Sequence, residues 1–188
     1  MQHHRLSALS LAVACSLVVI GCGGKPPRSA AAATSAPASP TNGAATAFVE
    51  AAATLAGTWS CTGSVYGANG TASPSQVGLT VTLELDEAWL RTDFAVLSGE
   101  HRYEFRSYRT FDTPSRQWVN VILDNMRGHA MSRSADGVTW TGESSGPMGT
   151  MKIQDTETLA PTGELAIAGR YSLDGASWST GYDLACRK

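Results

Sequence analysis

Val77, Leu79, Val81, Leu83 and Leu85 alternate with Gly78, Thr80, Thr82, Glu84 and Asp86. A period of two puts five aliphatic side chains on one face and the intervening residues on the other, which is the signature of a half-buried strand. Comparable strand-like runs are Gly57 to Tyr66, Trp89 to Leu97, Arg102 to Phe111, Gln117 to Asp124 and Gly128 to Ser134. Val138 to Glu143, Thr150 to Thr158, Glu164 to Leu173 and Trp178 to Cys186 complete a set of ten. Short turn-forming segments join them: Ser98-Gly99, Asp112-Thr113-Pro114-Ser115, Ala135-Asp136-Gly137, Pro161-Thr162-Gly163 and Asp174-Gly175. Connections of this length cannot carry a parallel crossover. The expected fold is therefore all-β, an antiparallel up-and-down meander that closes into a barrel and so removes its two exposed edges.

The N-terminus reads differently. Arg5 gives a short basic region, Leu6 to Ile20 an apolar stretch too short to be a permanent span, and Gly21 a small residue before Cys22. Val19-Ile20-Gly21-Cys22 resembles the cleavage motif of bacterial lipoprotein precursors at each position. The resemblance implies a signal peptide over residues 1–21 and acyl chains, palmitate among them, on Cys22. Two or three such chains anchor stably where one binds marginally. Gly23, not an aspartate, implies the outer membrane. From Gly23 to about Ala47 the chain is Ala, Ser, Thr, Pro and Gly with almost no large apolar side chain, so residues 22–47 read as a flexible tether. The folded domain is expected over residues 48–188. From Leu55 onward, carboxylates outnumber basic side chains by about four, a sign that argues against nucleic acid as a partner.

With Cys15 removed in the signal and Cys22 lipidated, as that resemblance implies, Cys61 and Cys186 remain as a pair in an oxidising compartment. A reactive or metal-binding thiol pair would need a CxxC spacing or histidine partners, and neither is present. A structural disulfide is expected. Since the two cysteines lie in the first and last predicted strands, their bridge would hold the ends of the meander side by side.

Thr46 to Ala56 is alanine-rich and sets Phe48, Ala52 and Leu55 on one helical face, which predicts a short helix plugging one end of the barrel. Continuation of the tether is the other reading. Next, Leu55-Ala56-Gly57-Thr58-Trp59 resembles the Gly-x-Trp first strand of calycin-like barrels, the superfamily of lipocalins and fatty-acid-binding proteins. Phe111-Asp112-Thr113-Pro114, Trp118-Val119 and Asp124-Asn125-Met126 are similar to a bacterial calycin-like family related to nitrobindin. The resemblance implies that Trp59 packs structurally across the closed end of the barrel. It brings no haem, because no histidine follows His129, and no cofactor or metal is expected.

Taking Asp112 to Ser115 as a four-residue loop, Phe111 faces Arg116, Arg109 faces Trp118, Ser107 faces Asn120, Phe105 faces Ile122 and Tyr103 faces Asp124. This aromatic face is assigned to the lumen. The other face, with Arg102, Glu104, Arg106, Gln117, Val119 and Val121, is assigned to solvent, and a one-residue slip would exchange the two. The expected ligand-binding residues are Arg109, Tyr103, Phe105, Trp118 and Asn120. Two readings of Arg109 stay open: a bidentate partner for the carboxylate of a fatty-acid-like ligand, or a side chain stacked on Trp118 with its head in water. His129 and Met131 share a strand face, where they either flank a ligand or serve the structure. No nucleophile elbow, zinc motif, phosphate loop or dinucleotide fingerprint occurs, so no catalytic residue is assigned and an enzyme is not expected. The function expected is binding of a small apolar or amphipathic molecule inside the barrel. The alternative is a structural or interaction module of the envelope whose lumen is packed solid.

Overall fold

The computed structural model describes residues 42–98, 102–147 and 149–188. The lipoprotein signal, Cys22, the tether up to residue 41, His101 and the glycine of the Ser98-Gly99 turn lie outside the described residues. A helix α1 (Asn42–Leu55) precedes ten strands: β1 (Gly57–Tyr66), β2 (Ala72–Glu84), β3 (Trp89–Ser98), β4 (Glu104–Asp112), β5 (Gln117–Asp124), β6 (His129–Ser134), β7 (Thr139–Gly146), β8 (Gly149–Leu159), β9 (Leu165–Ser172) and β10 (Ser179–Arg187). Each strand pairs antiparallel with its neighbours in sequence, and β1 pairs with β10, so the meander closes into a barrel. Cys61 and Cys186 sit directly opposite one another in the β1–β10 ladder and form a disulfide.

Alternation drives this architecture. Val77, Leu79 and Val81 are buried with Trp59, Cys61, Leu90, Leu165, Leu184 and Cys186 in a single cluster, onto which Phe48, Leu55, Phe94 and Ile167 pack. The stripe frays at the end of β2, where Leu83 is exposed and Leu85 is 66 % exposed. Leu85, expected within the strand, is instead the first residue of the β2–β3 turn, with a φ of 53°. The helix begins at Asn42, four residues before the start expected at Thr46, so residues 42–45, expected in the tether, are helical. Its last carbonyls are satisfied from the barrel: the Trp59 indole donates to the Leu55 carbonyl at 2.8 Å and Lys188 Nζ to that of Thr54 at 2.8 Å. A cation at a helix C-terminus also complements its dipole. Trp59 is itself buried, with Lys188 Nζ over its ring at 4.8 Å.

Two of the expected turns share one device. Ser134-Ala135-Asp136-Gly137 and Ser172-Leu173-Asp174-Gly175 each precede a tryptophan by the same spacing, Trp140 and Trp178. Asp136 accepts from the backbone of Val138 and Thr139, both at 2.8 Å, and Asp174 from that of Ala176 and Ser177 at 2.8 and 2.7 Å. These bonds hold both carboxyls below the ordinary aspartate range.

Candidate functional site

The β4–β5 hairpin differs from expectation in register. Phe111 pairs with Trp118, Arg109 with Asn120, Ser107 with Ile122 and Phe105 with Asp124. Each partner is displaced by two residues. Asp112 stays in the ladder opposite Gln117, its carboxylate accepts from the Ser115 hydroxyl, and Arg116 takes a left-handed φ of 54°, so the loop runs from residue 113 to 116. A slip of two preserves the faces, and the aromatic face does point inward.

Inside the barrel lies a cavity of about 830 Å³. Tyr103, Phe105, Arg109 and Asn120 line it, together with an apolar wall that includes Leu79, Leu90, Phe94, Ile122, Ile153 and Leu184. Val65, Ser73, Pro74 and His129 line it at the end away from the helix. Trp118, expected in the same site, is elsewhere. It is buried between Phe48 (6.2 Å between ring centroids) and Phe111 (5.4 Å), and borders a smaller cavity of about 300 Å³ beneath α1. Nor do His129 and Met131 flank a ligand together: in β6 the inward residues are Ala130, Ser132 and Ser134, and Met131 is 52 % exposed.

Arg109 stacks on Trp140, not on Trp118, and its fork is closed on a carboxylate of the chain itself. Its Nη1 and Nη2 donate to Glu157 Oε2 and Oε1 at 2.8 and 2.6 Å, and its guanidinium lies 4.3 Å from the centre of the Trp140 ring. The pair is largely enclosed, with 12 % and 18 % of the side chains exposed. A planar fork on a carboxylate with an aromatic floor uses most of what arginine offers. Glu157 reaches it from β8, across the lumen.

Two residues before Glu157, on the same inward face, stands Asp155. The Tyr182 hydroxyl donates to its Oδ1 at 2.8 Å. Between them in the sheet is Gly169, paired with Asp155 on one side and with Tyr182 on the other. A methyl group there would overlap the Tyr182 ring and lie 2.6 Å from Asp155 Oδ1, so the missing side chain is what lets the two meet. Gly169→Ala should therefore cost about 1 to 3 kcal/mol by overpacking, read from the urea midpoint. A variant as stable as the parent would show that the contact is not sterically gated.

Burial pushes the Asp155 carboxyl up to about 6 and Glu157 adds to the rise, against the Tyr182 hydrogen bond and Arg109, which oppose it. Burial likewise pushes the Tyr103 phenol up to about 12, with Asp124 and Asp155 contributing, and holds Tyr182 well above the ordinary tyrosine value. Because the folded chain keeps the Asp155 proton to higher pH than the unfolded chain, with its ordinary value of 3.8, this group stabilises the fold below about pH 4. The contribution is lost as pH rises through about 6. Asp155→Asn is accordingly expected to raise the unfolding free energy at pH 7.5 by roughly 2 kcal/mol and to flatten its pH dependence between 4 and 6. Urea titrations at pH 4, 6 and 7.5 check this; a variant less stable than the parent at pH 7.5 would contradict it.

What the fold and site define together is a closed ten-stranded antiparallel β-barrel with a largely apolar interior cavity that carries polar and charged groups at fixed positions. No protein-family model matches the chain, and no curated protein matches it.

Proposed function

We propose that this chain is a lipid-anchored protein of the bacterial envelope whose calycin-like barrel binds a small apolar or amphipathic molecule in its lumen. The observation that carries the reading is the cavity of about 830 Å³, walled by apolar side chains with a few polar groups at fixed positions. Small-molecule sites commonly have this size and this makeup. A lumen packed at ordinary interior density would leave no such volume, so the cavity favours ligand binding over the interaction-module alternative. The Val19-Ile20-Gly21-Cys22 motif supports lipidation at Cys22, and Gly23 supports the outer membrane. No catalytic role is proposed.

Titration of the full chain with the neutral fluorophore N-phenyl-1-naphthylamine tests the binding reading. Saturable enhancement that Phe105→Asp abolishes is expected, and native mass spectrometry of protein from its own host should show a recurring small-molecule mass. Unsaturable, variant-independent fluorescence together with the bare protein mass would sink it. For the anchor, Cys22→Ser should move the protein out of the membrane fraction, because the acyl acceptor is gone. Retention of a fully processed variant in that fraction would count against lipidation.

A further inference from the structure

The polar groups of the lumen are unevenly committed. Among its lining residues are three carboxylates, Asp124, Asp155 and Glu157, and a single guanidinium, Arg109. Arg109 is closed on Glu157. Asp124 is occupied in a turn, where its Oδ1 accepts from the backbone of Met126 and Gly128 at 2.9 and 2.6 Å. Asp155 is left with Tyr182 as the one hydrogen-bond donor reaching it among the described residues, and with its Oδ2 unengaged. Asn120 Oδ1, on a residue 7 % exposed and lining the same cavity, also has no hydrogen-bond partner among the described residues. What remains unused is acceptor capacity, and its charge is negative.

Aromatic rings stand in the same lumen. Phe94 stacks on Phe105 at 4.4 Å between centroids, and Tyr103 lies 6.1 and 6.0 Å from the two. Tyr103 is near enough to Asp155 for that carboxylate to perturb its phenol. Ring faces carry partial negative charge and attract cations, most strongly where water is excluded. A buried carboxylate with one neutral donor is poorly compensated and gains most from a positive group. Resting on the binding function proposed above, we propose that the lumen takes molecules in which an apolar tail carries a protonated amine, the ammonium being held by Asp155 beside the Phe94–Tyr103–Phe105 cluster. A fatty acid is disfavoured there: its carboxylate would meet Asp155 and find Arg109 already paired.

Displacement of N-phenyl-1-naphthylamine from the full chain at pH 7.5 by octylamine, octanol and octanoate tests the inference, since the three share one tail and differ in the head. Octylamine is expected to displace the probe at least tenfold more tightly than octanoate, with octanol between them. Asp155→Asn should reduce the octylamine advantage to less than threefold. Asp93→Asn, which removes a carboxylate paired with Arg91 and Arg106 on the outer face, should leave that advantage intact. Octanoate equal to or tighter than octylamine on the parent protein would overturn the inference while the binding function stands, as would an amine preference that survives in Asp155→Asn. Failure of the naphthylamine probe and of all three competitors to bind would overturn both.

Discussion

With Cys61 and Cys186 both replaced by serine, the barrel is expected to lose about 4 to 5 kcal/mol of unfolding free energy while keeping its strand signal in circular dichroism. The bridge spans a sequence separation of 125 residues, and in the loop-entropy account a cross-link of that length constrains the unfolded chain by about this amount. The native ladder around it remains: Ser60 to Val65 still pair with Tyr182 to Arg187 through backbone hydrogen bonds. Urea unfolding of the two forms under non-reducing conditions measures the difference. Ordinary domains hold only about 5 to 15 kcal/mol in total, so a loss of this size is a large share of the barrel's stability. A loss below 1 kcal/mol would mean that the barrel ends are held by the sheet alone.

Arg109→Ala is expected to destabilise the fold by about 3 to 5 kcal/mol, because it strips Glu157 of both hydrogen bonds and leaves an enclosed carboxylate without a counter-charge. The cation over Trp140 is lost as well. A charge-free replacement of both partners, Arg109→Met with Glu157→Leu, should return to within about 1 kcal/mol of the parent, since removing a buried pair whole is far cheaper than breaking it. A single variant with no measurable loss would show Glu157 to be solvated. A double variant as unstable as the single one would show that packing, not charge, is what Arg109 supplies.

Much of the barrel was legible in the sequence because period-two burial and turn chemistry are local signals. The bounds of β1 and β5 and the number of strands follow from them. The first five residues of β2 were missed because the apolar alternation begins only at Val77. In the barrel, Pro74 pairs with Ser64 of β1, and among the described residues β3 joins β2 from Gln76 onward, so the proline sits where one side of the strand has no described partner. The register of the β4–β5 hairpin turns on Arg116 adopting a left-handed backbone, which glycine or asparagine announces and arginine does not. The site was less legible. Arg109 and Glu157 are 48 positions apart and meet across the lumen, a relation no local pattern encodes. The Asp155–Tyr182 contact did leave one trace, a glycine in mid-strand at residue 169, whose meaning depends on which two strands flank it.

The pairing of the first strand with the last also bears on how the protein is made. β1 leaves the ribosome before any other strand of the barrel, yet its second neighbour, β10, is the last of the ten to be made, so one edge of the sheet stays bare until β10 is available. A copy truncated before β10 would carry two unpaired edges and an odd thiol, both liabilities for aggregation. Closure of the barrel is thereby registered chemically, in whether the sulfur of Cys61 has found its mate in β10.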